Sequence, residues 1–332
     1  MKNKKQTYFI TGGTGSFSKK FIQVLLQNKL AKKIIIFSRD EYKQLLMKEL
    51  PFVKSNIGIF RFYIGDVRDK NRLEWAIQEN IDIVIHSAAL KQVPATEYNP
   101  FETVQTNIIG TQNVIEVCIN RNIDKVMLIS TDKAVSPINL YGSTKLTAEK
   151  LFISANTFKG AKKTKFSIIR YGNVMGSRGS VIPIFLDQNK KLSAPFTVTH
   201  KNMTRFNISL TAAANFVNTC ILKMQGSEVF IPKIPSYRIL DLVKAINPKK
   251  KIKFIGIRPG EKIHEELIEP SDSDKITESK NYFMINFSNK FRKKNIGAKY
   301  KNYDSYNSLQ NSEFLSINQI REAIKKNIED FD

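Results

Sequence analysis

Apolar runs and helical stretches alternate along the first half of the chain. Thr7 to Ile10 is a short run of β character, and a helical pattern follows over residues 19–27. Lys33-Ile-Ile-Ile-Phe is a second apolar run, Arg61 to Val67 a third and Ile81 to His86 a fourth. Helical patterns cover residues 69–79 and 100–120. Lys125-Val-Met-Leu-Ile reads as a fifth strand, residues 141–158 as a helix and Phe166 to Tyr171 as a sixth strand. Strands that are apolar throughout, rather than at every second position, belong to sheets covered on both faces. Strand and helix in alternation predict an α/β fold, a doubly wound parallel sheet. After residue 172 the elements become shorter and mixed: helix 209–224, strand 228–231, helix 237–246 and strand 252–256. A polar, loop-rich stretch is expected over 271–312, then a last helix over 316–329. The expected division is a sheet domain, 1–172, and a smaller mixed C-terminal substrate lobe, 173–332, with the chain crossing between them.

Composition narrows the classes. At 332 residues and 42% hydrophobic content, the chain resembles an ordinary globular protein. No apolar run is long enough to span a bilayer. Behind Met1-Lys-Asn-Lys-Lys, the apolar stretch before Gly12 is too short for a signal peptide, so a cytoplasmic protein with no membrane partner is expected. The net charge of +23 suggests nucleic acid. The lysines, however, are spread through every segment, and no helix-turn-helix, zinc-finger or RNP-like pattern accompanies them. The chain is also rich in Ile and Asn, so general residue usage accounts for the excess, and no nucleic-acid partner is expected. An anionic small molecule suits the charge. Cys118 and Cys220 sit in apolar helical segments without metal spacing, so both read as small core residues and no metal is expected. His86, flanked by apolar residues, reads as a satisfied core histidine.

Three stretches carry chemistry. Thr11-Gly-Gly-Thr-Gly-Ser-Phe-Ser follows the first strand and opens the first helix. Glycines there let backbone approach a pyrophosphate, and the helix N-terminus offers N–H donors. Ser18 stands where a third glycine would govern helix–strand packing, so a slight shift is expected rather than lost binding. Ser38-Arg39-Asp40 ends the second strand. A serine and an arginine suit a ribose 2′-phosphate, Lys43 adds a second cation, and NADP is expected over NAD. Asp40 complicates this, because an acid there suits the NAD ribose. Ser130-Thr-Asp-Lys-Ala leaves the fifth strand at its carboxyl end, where open α/β sheets bind ligands. Tyr141 and Lys145, four apart, share a helix face. A phenol beside an ammonium is expected to have a lowered pKa, and Lys133, half-buried among cations, to be neutral enough to act as a base.

With these pieces the chain resembles the extended short-chain dehydrogenase/reductases of Rossmann fold and, more narrowly, the inverting UDP-N-acetylglucosamine 4,6-dehydratases. Besides the stretches above, Gly65-Asp-Val-Arg-Asp, Ala88-Ala-Leu-Lys, Asn139-Leu-Tyr-Gly-Ser-Thr-Lys, Arg170-Tyr-Gly-Asn-Val-Met-Gly-Ser-Arg-Gly-Ser, Met203-Thr-Arg-Phe and Arg258-Pro-Gly-Glu-Lys carry the likeness. It covers residues 7–270. Ser18 departs from the family pattern, as does Gln92 where histidine is expected. The family's retaining relatives, often membrane-anchored, usually carry Met in place of Tyr141.

The resemblance implies cofactor contacts from Gly12, Thr14, Gly15, Ser16 and Phe17 in the first turn, and from Ser38, Arg39 and Lys43 at the second strand. Asp66, Val67, Ala88, Ala89, Asn107, Tyr141 and Lys145 complete that set. It implies substrate contacts from Lys91, Asn173, Arg178 and Val181, then from Thr204, Arg205, Arg258 and Glu261, whose arginines suit a diphosphate. UDP-N-acetylglucosamine is the implied substrate, and a dimer-based homo-oligomer, up to a hexamer, the implied assembly. The residues then allow a reaction. Tyr141, aided by Lys145, takes the C4 hydroxyl proton, with Thr131 bonded to that hydroxyl. Lys133 takes the C5 proton, and Asp132 protonates the departing C6 hydroxyl. Hydride returns to C6, and reprotonation at C5 from the opposite face inverts it. A nucleotide-sugar 4-epimerase or dehydrogenase, a retaining dehydratase and a silent NADP-sensing regulator are the alternatives.

Overall fold

A computed structural model describes residues 4–78, 80–177, 180–191, 193–288, 298–299 and 305–327, without the side chains of 273, 298 and 299. Strands β1 (Gln6–Thr11), β2 (Ala31–Ser38), β3 (Phe60–Ile64), β4 (Ile83–His86), β5 (Lys125–Thr131) and β6 (Lys165–Tyr171) are parallel neighbours, in the order β3-β2-β1-β4-β5-β6. Their apolar runs are buried because helices cover both faces: Phe9, Ile36, Ile85, Met127 and Ile169 are all sealed from water. This is the doubly wound α/β sheet that the sequence pattern predicts. Strand order reverses between β1 and β4, so the carboxyl ends of these strands open into one crevice.

The sheet continues past β6. Strand Glu228–Pro232 pairs parallel to β6, and Tyr282–Asn286 and Ile276–Glu278 then add antiparallel strands. Part of the expected loop-rich tail is therefore sheet. Ile276, Phe283 and Ile285 are buried there, and these few apolar positions suffice once a neighbouring strand supplies the ladder.

A second core gathers Met175, Ile182, Phe185, Phe196, Leu242 and Val243 with Ile320 and Ile324. Helix Val181–Lys190, absent from the sequence expectation, belongs to it, as does the last helix, Ile317–Lys326, which opens on a capping box between Ser316 and Gln319.

The long helix expected over 100–120 is interrupted. α-Helix runs over Pro100–Val104, a wider π turn over Gln105–Ile109, and α-helix resumes over Gly110–Asn120. The turn swings Asn107 inward, where its amide bonds both the N–H and the carbonyl of Leu90, at 2.8 and 2.9 Å. Among the described residues, no helix is long and apolar enough to cross a membrane, and no cluster of metal-ligating side chains occurs.

Candidate active site

A cavity of about 730 Å³ lies between the crevice and the second core. At one end stands the first turn. Gly12 has φ of +63°, and a Cβ on it would come within 2.9 Å of the Ala88 backbone, so only glycine lets the two loops meet. Helix α1 (Ser16–Gln27) begins with no side-chain cap and no acid in its first turn, which leaves its N–H donors facing the cavity. These features fit the pyrophosphate of a nicotinamide dinucleotide. Ser18 does more than take up space: its hydroxyl donates to the Gly12 carbonyl at 3.1 Å and bonds Ser87 Oγ at 3.0 Å, tying the turn to the end of β4.

At the tip of β2, Asp40 caps helix α2 (Glu41–Lys48), accepting from the Lys43 N–H at 2.9 Å and pairing with Lys43 Nζ at 2.8 Å. Both groups are thus engaged with each other. Arg39 lies 3.7 Å from Asp66 and half open to water. Thr14, Gly15, Phe17, Ser38, Val67 and Ala89 line the same end, as do Gly12, Ser16 and Ala88. Asn107 does not; it is the clamp under Leu90, and its neighbour Thr106 lines the cavity instead.

The middle of the cavity is built by the end of β5 and helix Leu140–Phe158. Asn139 caps that helix, accepting from the Gly142 N–H at 2.7 Å and donating to the Gly260 carbonyl at 2.8 Å. A Cβ at Gly142 would collide with the Lys133 carbonyl, so glycine lets the helix pack tightly on the 131–134 loop. Thr131, Asp132, Lys133, Tyr141 and Lys145 thereby face one space. Thr131 Oγ1 donates to Asp132 Oδ1 at 2.9 Å, and Lys133 Nζ donates to the same oxygen at 3.1 Å.

The charge states differ from those expected. Burial pushes the Tyr141 phenol up to about 12, and the groups pulling it down are Lys133 and the Thr131 hydroxyl, not Lys145. Lys145 is itself pushed by burial down to about 8; its Nζ donates to the Ile129 carbonyl at 2.8 Å. Lys133 is not made neutral. Burial alone would lower it, but Asp132 and Glu265 hold its ammonium well above the usual lysine range. Burial raises the Asp132 carboxyl above its ordinary value, with the Glu265 charge adding to the rise and the Lys133 ammonium and Thr131 hydroxyl opposing it. Glu265, its side chain 3% exposed and 3.2 Å from Lys133 Nζ, belongs to no motif of the sequence analysis; it lies three residues beyond the Arg258–Lys262 block.

Of the expected substrate contacts, Lys91, Asn173, Val181, Arg258 and Glu261 line the cavity. Asn173 Oδ1 and Glu261 Oε2 are buried without a hydrogen-bond partner. Arg178 lies outside the described residues. Two expectations are corrected. Thr204 does not line the cavity; its hydroxyl bonds His264 Nδ1 at 2.8 Å and Ser308 Oγ at 2.7 Å. Arg205 reaches the wall, but its guanidinium donates to the carbonyls of Thr204, Ile263 and Lys262, and its Nε faces Glu265 at 3.6 Å, so it is engaged by protein rather than free for a diphosphate. His86 is the satisfied core histidine expected, held between Thr11 and Thr111 and pushed by burial down to about 3. Cys118 and Cys220 are buried core thiols, raised by burial.

A profile of the polysaccharide biosynthesis protein family matches residues 8–287. The chain is 46% identical over 330 residues to an inverting UDP-N-acetylglucosamine 4,6-dehydratase of Campylobacter jejuni, covering 96% of this chain and 97% of that protein. It is 42% identical over 287 residues to a UDP-glucose 4-epimerase of Rickettsia bellii, covering 84% and 82%. Among solved structures, Pen from Bacillus thuringiensis superposes with a TM-score of 0.88 at 39% identity, over 98% of this chain and all of that one.

Proposed function

Because this chain belongs to the polysaccharide biosynthesis protein family, we propose that it removes water across C5 and C6 of UDP-N-acetylglucosamine, with oxidation at C4 and inversion at C5. The product would be UDP-2-acetamido-2,6-dideoxy-β-L-arabino-hex-4-ulose, and the reaction the first step of pseudaminic acid biosynthesis. The observation that carries the reading is a buried acid, Asp132, whose carboxyl burial raises above its ordinary value, beside a lysine and a tyrosine in one cavity. An elimination needs an acid and a base side by side; a simple dehydrogenase does not.

When bound, a nicotinamide dinucleotide would supply reversible hydride acceptance. Ser38 and Arg39 at the tip of β2 favour NADP in that place, and Asp40, engaged in capping, does not compete for a ribose hydroxyl. The chain's own residues manage protons. Tyr141 takes the C4 hydroxyl proton once its phenol is ionised, a form that Lys133 and Thr131 favour. Asp132 donates to the C6 hydroxyl as it leaves. Lys133 takes the C5 proton, which requires its ammonium first to lose its own.

The epimerase relative gives a second reading some weight, since C4 chemistry alone would use Tyr141 and Thr131 and leave Asp132 idle. Proton NMR and mass spectrometry of the purified protein with NADP and UDP-N-acetylglucosamine separate the two. A product lighter by one water, with a new C6 methyl signal, is expected. A C4 epimer of unchanged mass would replace the dehydratase reading with the epimerase one.

A further inference from the structure

A lysine can take a proton from carbon only after its own ammonium proton has gone elsewhere. Two carboxyls stand at Lys133 Nζ: Asp132 Oδ1 at 3.1 Å and Glu265 Oε1 at 3.2 Å. Asp132 is 1% exposed, its Oδ1 already accepts from Thr131 as well as from Lys133, and its Oδ2 has no hydrogen-bond partner. In the dehydratase reading Asp132 gives a proton to the departing C6 hydroxyl, so it is not the resting place for the lysine's proton. Glu265 is different. Arg205 Nε at 3.6 Å favours its anion, and its backbone is fixed: the N–H donates to Ser308 Oγ at 2.9 Å and the carbonyl accepts from the Ser308 N–H at 2.8 Å. Ser308 is in turn held by Thr204. The carboxylate therefore has a fixed place at the lysine, and its Oε2 is buried without a partner.

We propose that Glu265 is the positioning residue that sets the charge on Lys133: it holds the ammonium in the free protein and receives its proton when a sugar fills the cavity. One proton moves from Nζ to the carboxylate, no bond to carbon changes in that step, and no other reactant is needed. The drive is desolvation. Lys133 keeps 24% of its side-chain surface open, so water supports the ion pair until a ligand expels it. In a dry site an ion pair loses ground to its neutral form. The charged and titratable groups facing this pair are Asp132 beside it, Tyr141 from its helix, Arg205 and Tyr237 from two paired strands, and Lys262 from the loop before Glu265. Among the described residues, Asp132 and Glu265 are the carboxyls in salt-bridge reach of Lys133.

The use of this proton in elimination rests on the dehydratase reading; the charge of Lys133 does not, and it can be measured without sugar. Protein carrying 13C-labelled lysine, compared with Lys133→Met to identify the signal, is titrated upward in pH. Lys133 should stay charged through the wild-type range. In Glu265→Gln its midpoint should fall by at least about one pH unit, a tenfold loss of proton affinity, and Glu265→Asp should remain near wild type. Ser308→Ala, which loosens the clamp and spares the carboxylate, should move the signal the same way by less. Identical titration in the wild type, Glu265→Gln and Ser308→Ala overturns the proposal. With UDP-N-acetylglucosamine, Glu265→Gln should lose at least tenfold in kcat with KM little changed, and an unchanged kcat also overturns it. A wild-type protein inert toward that sugar sinks the dehydratase reading alone, and the titration still decides the role of Glu265.

Discussion

Lys133 and Lys145 are two lysines of one cavity, the first partly open and the second buried, and the protein drives them in opposite directions. Lys145 is lowered to about 8, while Lys133 is raised. Burial disfavours the charge on both. The difference lies in which carboxylates are free. Lys133 has Asp132 and Glu265 within 3.2 Å. The acid one turn beyond Lys145, Glu149, is already taken: Arg170 Nη2 donates to it at 2.6 Å and Ser130 Oγ at 2.5 Å. Lys145 is left with a backbone carbonyl. The same residue type becomes a stable cation in one place and a readily deprotonated amine in the other, because nearby acids are engaged or available.

Arg170→Met breaks this contrast at its source. Glu149, 1% exposed, would lose its guanidinium and remain buried without a cation. Removing one partner of a buried ion pair costs roughly 3–5 kcal/mol, and urea denaturation should show a loss of that size. The freed carboxylate should also bring Lys145 back toward the ordinary lysine range. A stability change under about 1 kcal/mol, small on the scale of such pairs, would show that the pair does not hold Glu149.

A smaller effect separates the lysines by pH. The folded pKa of Lys145, about 8, lies below its ordinary 10.5. Below pH 8 the charged lysine therefore burdens the folded state in full, by about 3 kcal/mol. Between pH 8 and 10.5 the unfolded chain holds more protons than the folded one, so stability rises with pH. Lys145→Met removes this rising limb. The stability of the wild type relative to Lys145→Met should climb across that window, and a flat difference would mean that Lys145 is not depressed.

The sequence exposes the position of both lysines and neither charge state. Tyr141 and Lys145 are legible because helix geometry places residues four apart on one face, and Thr131 to Lys133 because they end a strand. The turn at Gly12 is legible for the same reason: contiguous spacing encodes local geometry. Lys133 reads wrongly, because its partner Glu265 arrives from far down the chain through the pairing of Glu266–Ile268 with Tyr306–Asn307. Thr204 and Arg205 are of the right type for ligand contact, yet tertiary packing turns them onto His264, Ser308 and backbone carbonyls. Asn107 goes inward through a π turn that no helical periodicity announces. Glu149 was within reach: residues 141, 145 and 149 continue one helix face, and the next step along it shows an acid.

Arg39 extends the contrast to the surface, where burial no longer competes. Its side chain is 52% exposed and 3.7 Å from Asp66. A cation so placed gains little from its own protein neighbour, which leaves it available to a phosphate at the tip of β2. A charge-assisted hydrogen bond contributes about 1.5–3 kcal/mol. Arg39→Ala should accordingly weaken NADP binding by about tenfold to a hundredfold, with NAD binding altered by less than about threefold. Isothermal titration of both cofactors against wild type and variant reads the two affinities. Only a ligand carrying a 2′-phosphate presents the charge that Arg39 would meet, so equal losses for both would place Arg39 on the shared pyrophosphate instead and leave the NADP reading without its cation.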